Sequence, residues 1–270
     1  LTFPLTAIGV SMTINSSGYS KVIQISDLHL MATPNDRYRG IDVESRFLEV
    51  TEHIRLHHDD ADLLLLTGDC VHQGGVEVYQ RIGERLSSLK LPWAWIPGNH
   101  DDRELMNQVW GPMTESLSLG NWQVTLLDST SEPDGVGGGR LADAELQRLQ
   151  RRLLLPGPHL VVLHHNPLSV SSHWQDQIAL ANREQFMALI DGNDGPGVVI
   201  FGHVHQNWQF QRNGWQLLSC PSTAVQFKKR CASFGIEYSA PDALPGYRWL
   251  KLGPDGQCDT GVERCFRSNS

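Results

Sequence analysis

The sequence contains no long apolar run. Its most hydrophobic stretches, such as LLLLTG and HLVVL, are strand length and fall well short of the roughly 18 residues that a membrane helix needs. It also lacks a basic excess: 22 Lys and Arg against 30 Asp and Glu give a formal net charge of -8. That balance excludes a broad nucleic-acid or anionic-membrane surface, because such partners attract Lys and Arg in surplus. Cysteines are few and unpaired in pattern, with Cys70, Cys220, Cys231, Cys258 and Cys265 forming no C-x-x-C. An odd, scattered set suits free thiols in a reducing compartment, so the expected location is the cytoplasm. No G-x-x-x-x-G-K-[ST] occurs, and GVGGGR at 135–140 lacks the glycine spacing of a dinucleotide loop. It reads as a flexible connection. The opening LTFPLTAIGVS has neither a basic flank nor an h-region with a cleavage site; residues 1–20 are expected to be a leader of uncertain structure, with residues 1–11 preceding Met12.

What is present is a 270-residue chain of 40% hydrophobic content, enough for one large core. Residues 21–270 read as a single domain. Apolar β-branched runs (VIQIS, DLLLLTGD, PWAWIPG, WQVTLLDS, HLVVLHH, GVVIFGH) alternate with helical patterns near 43–58, 76–90, from Asp102, 143–155 and 182–191. Strands that alternate with helices over such a length predict a layered α/β fold. The last seventy residues differ: WQFQRNGWQLLS has Asn-Gly between two alternating strands, a hairpin signal, and YRWLKLGPDGQC repeats the idea around Pro-Asp-Gly.

Polar residues gather where these strands end. Asp27-Leu28-His29 follows VIQIS, Gly68-Asp69 follows DLLLLT, Gly98-Asn99-His100-Asp101 follows PWAWIP, His164-His165 follows HLVVL, and Gly202-His203-Val204-His205 follows GVVIF. In open α/β sheets that edge is where sites form. Each piece alone has a plain explanation as a turn, cap or surface pair; five together point to a metal centre. Asp27, His29, Asp69 and His205 would make one site, and Asp69, Asn99, His164 and His203 a second, with Asp69 bridging. In D-x-H and H-x-H, residues two apart share one side of an extended segment, so both imidazoles of G-H-V-H can serve neighbouring ions. Mixed imidazole and carboxylate ligands suit iron or manganese first, then zinc or cobalt, and not calcium. Two ions about 3.5 to 4 Å apart lower the pKa of a shared water and steady a leaving oxygen, which predicts a bridging hydroxide as the nucleophile. Asn99 is a neutral ligand that keeps the centre cationic. His100 remains to contact phosphate and donate a proton to the leaving alkoxide, while Asp101 orients His100 or caps the next helix.

These motifs, in this order through residues 22 to 205, resemble the calcineurin-like metallophosphoesterase superfamily. RGIDVESRFLEV, HHNPL, PSTAVQFKKRCASF and PGYRWLKL are further similar to the bacterial class III 3′,5′-cyclic-AMP phosphodiesterases, and the similarity covers nearly the whole chain. The resemblance implies a four-layer αββα sandwich with a dinuclear metal site at the C-terminal edge of its strands. It implies the two ligand sets above, Asp69 and His100 as catalytic groups, and phosphate contacts from His29, Asp69, Asn99, His100 and His205. His165-Asn166-Pro167 departs from the family's usual His-Pro-Pro, which leaves the ligand intact and alters the adjoining loop.

The expected activity is therefore hydrolysis of 3′,5′-cyclic AMP to 5′-AMP, with a small-molecule substrate and neither membrane nor long nucleic acid as partner. The same chemistry on a 2′,3′-cyclic nucleotide or a glycerophosphodiester is the alternative, since the ligands read only phosphate. A non-catalytic scaffold would have eroded ligands, and none is missing here. Cys70 reads as a small buried residue, Lys228-Lys229-Arg230 as a solvated charge run or, second, as an attraction for the nucleotide, and His53, His57, His58, His72, His159 and His173 as polar residues without a role.

Overall fold

Apolar runs with no polar face must be covered on both sides, and the structure, a computed structural model that describes residues 10–12 and 18–266, covers them in layers. One sheet has five strands in the order β12-β11-β2-β3-β4, built from β2 (Ser20–Ile25), β3 (Leu63–Thr67), β4 (Trp93–Ile96), β11 (Gly246–Leu252) and β12 (Cys258–Arg264). The other has seven in the order β1-β5-β6-β7-β8-β10-β9. Its strands are β1 (Val10–Met12), β5 (Ser116–Leu119), β6 (Trp122–Leu126), β7 (His159–Leu163), β8 (Gly197–Phe201), β9 (Gln209–Arg212) and β10 (Trp215–Ser219). The strands that end in candidate site residues run parallel within each sheet: β2 with β3 and β3 with β4, β7 with β8. Parallel pairing brings their C-terminal ends to one rim.

Alternation along each strand assigns the faces. In β7 and β8, Leu160, Val162, Val198 and Ile200 face the other sheet and join Val22, Leu63 and Leu65 in a shared core. Val161, Leu163, Val199 and Phe201 face outward against α4 (Asp143–Leu153) and α6 (Arg183–Asp191), through Leu149, Leu153, Phe186 and Ile190. On the far side of the five-stranded sheet, α1 (Val43–His57) contributes Phe47, Val50 and Ile54, and α2 (Val76–Ser88) contributes Val78, Ile82 and Leu86. The layers are thus helix, sheet, sheet, helix, and their boundaries are mainly apolar, with Gln24 and Arg248 reaching between the sheets to the carbonyls of Phe201 and Ser219.

The two C-terminal hairpins form as the Asn-Gly and Pro-Asp-Gly signals predict. Asn213 and Gly214, at φ 47° and 82°, turn β9 into β10, and β11 pairs antiparallel with β12. The sequence reading passed over β1, β5 and the short α5 (His173–Gln177). SLSL has no continuous apolar run, and β5 is a strand because β6 pairs with it. Of the leader expected over 1–20, residues 1–9 and 13–17 lie outside the described residues. α3 (Arg103–Trp110) begins at Asp102, whose carboxylate accepts from the N–H groups of Glu104 and Leu105. Asp102, not Asp101, is the helix cap.

Ile200, fully buried between the sheets, tests the shared core. Ile200→Ala should lower stability by about 2–5 kcal/mol through the lost methylenes and the cavity left behind. A clear fall in the urea midpoint is expected; an unchanged midpoint would mean that the two sheets do not stabilise one another.

Candidate metal centre at the strand ends

Every candidate residue lies one to four positions beyond a strand end, and the backbone there is unusual. Asp27, His29, Asp69, His203 and His205 all have left-handed φ angles, between 45° and 67°. For non-glycine residues such conformations cost about 1–3 kcal/mol each and persist only where the surroundings impose them. The expectation that D-x-H and H-x-H run extended is therefore corrected: these segments coil sharply. His203 and His205 consequently separate into two neighbouring groups.

The first group is Asp27, His29, Asp69 and His205, whose ligand atoms all lie within 4.8 Å of one another and whose side chains are all buried. His29 Nε2 is 3.0 Å from His205 Nε2 and 3.6 Å from Asp69 Oδ2, and His205 Nε2 is 3.4 Å from Asp27 Oδ1. The second group centres on His164. Its Nε2 is 3.4 Å from Asp69 Oδ2 and 3.2 Å from Asn99 Oδ1, and its ring centroid lies 5.1 Å from that of His203. Asp69 faces both groups. His100 is exposed at the outer side; its backbone N–H donates to Asp69 Oδ1 at 2.9 Å, and its ring meets that of His29 edge-on at 4.9 Å.

The donor set fits metal cations on three counts. His164 Nδ1 donates to the Thr67 carbonyl at 2.8 Å and His205 Nδ1 to the Val225 carbonyl at 2.7 Å. Each bond turns Nε2 toward the centre, the orientation that a ligating imidazole needs. Second, His203 Nε2 is buried without a hydrogen-bond partner, which is costly unless something else satisfies it. Third, nitrogens and carboxylate oxygens converge here in a space from which water is largely excluded.

Protonation follows from burial and proximity. Burial works against charge on Asp69, but the imidazoles of His164, His29 and His100 hold its carboxyl well below the ordinary range. Burial likewise opposes charge on His164, yet Asp69 lifts it to about 9. His203 is pushed down to about 3 by burial and then by His164, so its imidazole is a neutral donor.

Close approach is possible only because glycines precede the ligands. A Cβ on Gly98 would stand 2.3 Å from both Asp69 N and Asp69 Oδ1, one on Gly68 2.5 Å from His164 Nδ1, and one on Gly202 2.2 Å from Ser26 Oγ. Asp101 supports the same junction. Its carboxylate accepts from the N–H groups of Gly98, Cys70 and Val71 and from the Tyr79 hydroxyl. Burial, then Asp69, raises its pKa to about 6 against those donors. It neither orients His100 nor caps α3; it ties the loop after β3 to the loop after β4.

Three residues join the site that the sequence reading left aside. His165 packs beside His203 with ring centroids 4.7 Å apart, and Ser129 Oγ lies 2.7 Å from its Nδ1. His72, read as a residue without a role, lies beside His100 at 5.1 Å and His29 at 5.6 Å. Tyr38 stacks on His29 at 4.8 Å. A single histidine on a polar loop and a tyrosine thirty-one residues before Asp69 carry no pattern that marks them. Within the 135–140 stretch, expected to be a flexible connection, residues 135–138 line a cavity of about 350 Å³ together with Asn99 and His100.

Residues 20–207 match the family model described as calcineurin-like phosphoesterase. Over 249 residues the chain is 38% identical to a 3′,5′-cyclic-nucleotide phosphodiesterase of Nostoc sp., covering 90% of this chain and 91% of that protein. It is 35% identical over 248 residues to the 3′,5′-cyclic adenosine monophosphate phosphodiesterase CpdA of Pseudomonas aeruginosa, covering 90% and 89%. The corresponding Escherichia coli K12 protein is 34% identical over 251 residues, with the same coverage. Among solved structures, a dimetal phosphatase from Danio rerio superposes with a TM-score of 0.58 at 14% identity, over 92% of this chain and 99% of that one. A purple acid phosphatase from yellow lupin gives 0.63 at 13%, over 92% and 52%. At such identities the structural likeness establishes the fold alone.

The glycine contacts make a specific prediction. Gly98→Ala should displace Asp69 and reduce the metal retained per chain, measured by inductively coupled plasma mass spectrometry. Gly253→Ala, whose Cβ would meet only Gln257 atoms at 3.4 Å and beyond, should retain the wild-type content. Equal metal in both variants would show that the Gly98 contact does not position the centre.

Proposed function

Because this chain belongs to the calcineurin-like phosphoesterase family, we propose that it hydrolyses 3′,5′-cyclic AMP to 5′-AMP at the two groups that share Asp69. One observation carries the reading. The polar residues of five strand ends meet at one rim, in two groups that share Asp69, in a chain that aligns over 90% of its length with cyclic-nucleotide phosphodiesterases. Asp27, His29, Asp69 and His205 would hold one ion, and Asp69, Asn99, His164 and His203 another, with iron or manganese favoured by the mixed donors. Bound there, such a pair supplies positive charge to the phosphoryl oxygens and makes water nucleophilic near neutral pH.

The chain's own groups divide the remaining work. Asn99 offers an oxygen without adding negative charge, so the centre stays attractive to a phosphodiester anion. His29, Asp69, Asn99 and His205 surround the position at which the phosphate would rest. His100, anchored through its backbone on Asp69 and exposed on its ring side, contacts the phosphate and gives its proton to the departing 3′ oxygen. Residues 21–270 act as one domain in this reading. No helix among the described residues is long and apolar enough to cross a membrane, and the five free cysteines favour the cytoplasm.

The experiment is product analysis of protein loaded with manganese or iron and incubated with 3′,5′-cyclic AMP. EDTA-sensitive formation of 5′-AMP is expected, and His100→Ala should lower kcat by about 10²- to 10⁴-fold while keeping its metal. Hydrolysis of an aryl phosphodiester without any turnover of cyclic AMP would retain the metal chemistry and overturn the substrate.

A further inference from the structure

The metal groups explain how phosphate is handled and leave open what selects the rest of the substrate. Around the first group the side chains form a closed ring of contacts, stacked, edge-on and hydrogen-bonded. His29 stacks on Tyr38 at 4.8 Å, and Arg39 Nε donates to the Tyr38 hydroxyl at 3.3 Å. The Arg39 guanidinium then lies 4.4 Å from the centroid of Phe234, and Phe234 meets Phe227 edge-on at 5.3 Å. Phe227 stacks flat on His205 at 3.9 Å, and His205 returns to His29 at 4.8 Å. Trp174 supports the ring from behind, with its centroid 5.1 Å from Phe227 and 5.2 Å from Phe234.

Arg39 stands out within that ring. It is exposed, it has a left-handed φ of 50°, and the ion pairs among the described residues give it no carboxylate. In a chain of net charge -8, an unneutralised guanidinium fixed beside a phosphate-binding centre is available to a ligand. Phe234 is 42% exposed in spite of its three aromatic and cationic neighbours. The Arg39 guanidinium lies over the Phe234 ring, so its outer plane and the exposed part of Phe234 form a surface on which a flat, electron-rich ring can stack. Phe227 is occupied by His205 on one face, so the free part of the platform is its outer half, Arg39 with Phe234.

We propose that Arg39 and Phe234 form a nucleobase platform, which takes the purine ring of the substrate and sets its selectivity while the metal groups take its phosphate. The proposal rests on the nucleotide reading above and goes beyond it by assigning the base-recognising residues. Neither residue touches the reacting atoms; the pair determines specificity.

The test compares two ligands of metal-loaded protein by isothermal titration calorimetry: 5′-AMP, which engages centre and platform, and inorganic phosphate, which engages the centre alone. Stacking of one base on an aromatic or arginine plane corresponds to a weakening of about tenfold when it is removed. Arg39→Ala and Phe234→Ala should each weaken 5′-AMP by about that factor and move phosphate by less than about twofold. Arg39→Lys keeps the charge and loses the plane, and it should weaken 5′-AMP in the same sense. Equal weakening of both ligands, or of neither, overturns the platform, as does wild-type protein that binds 5′-AMP no more tightly than phosphate. Failure of the substrate reading is distinct, because it would appear as wild-type protein that binds 5′-AMP yet leaves 3′,5′-cyclic AMP uncleaved.

Discussion

The buried carboxylate of Asp69 is the constraint to which the rest of the rim is fitted. It is 2% exposed, and an anion so placed is stable only when hydrogen bonds and cations replace the lost water. One oxygen accepts the His100 N–H; the other stands within 3.6 Å of imidazole nitrogens from His29 and His164. Those three partners arrive from the ends of β2, β4 and β7, so satisfying Asp69 requires both sheets to end at one place. Cations held by the two groups that share Asp69 would complete the compensation that imidazoles provide only in part.

Bringing that much polarity together conflicts with ordinary backbone preference. Five ligand candidates adopt left-handed angles, at a cost of about 1–3 kcal/mol each. Such strain survives because the adjoining strands leave no alternative. Gly68, Gly98 and Gly202 sit where a single added carbon would strike a ligand, the neighbouring backbone or Ser26, and Asp101 clamps two of the loops by accepting from three backbone N–H groups. The apolar core between the sheets, with Val22, Leu65, Val162 and Ile200 fully buried, is the rigid body against which these angles are held. Core packing and site geometry are therefore coupled through the strand ends.

This coupling explains which parts of the molecule were legible in the sequence. Long apolar runs and the polar residues just after each run are local and repetitive, so a layered α/β fold and the seven candidate ligands could be read directly, whereas the two-sheet sandwich was implied by the family resemblance. The Asn213-Gly214 and Pro254-Asp255-Gly256 turns carried their hairpins for the same reason. What could not be read depends on distant contacts. Asp101 looked like a cap because a carboxylate before a helix usually is one, whereas its partners lie up to 31 residues away. The D-x-H segments looked extended because left-handed geometry in non-glycine residues has no composition signal. Tyr38, His72 and Phe227 come from loops whose path to the centre is set by the fold as a whole. β5 has no continuous apolar run and exists through its pairing with β6.

The division between strand ends and loops also separates two chemical tasks. Ligand candidates sit within four residues of rigid strands, where their placement is enforced by packing and by the Nδ1 bonds of His164 and His205. The walls come from loops at 31–42, 131–138 and 227–238, which can change length and side chains without disturbing a strand. Phosphate chemistry is thus bound to the core, while the identity of the group attached to phosphate is a matter for residues such as Arg39 and Phe234. A related chain can keep every ligand and still accept a different diester, because the elements that fix the phosphorus centre do not form the loops that meet the base. The same argument places any change of substrate in those loops, since a change at the strand ends would have to overcome both the strain of the left-handed residues and the buried charge of Asp69.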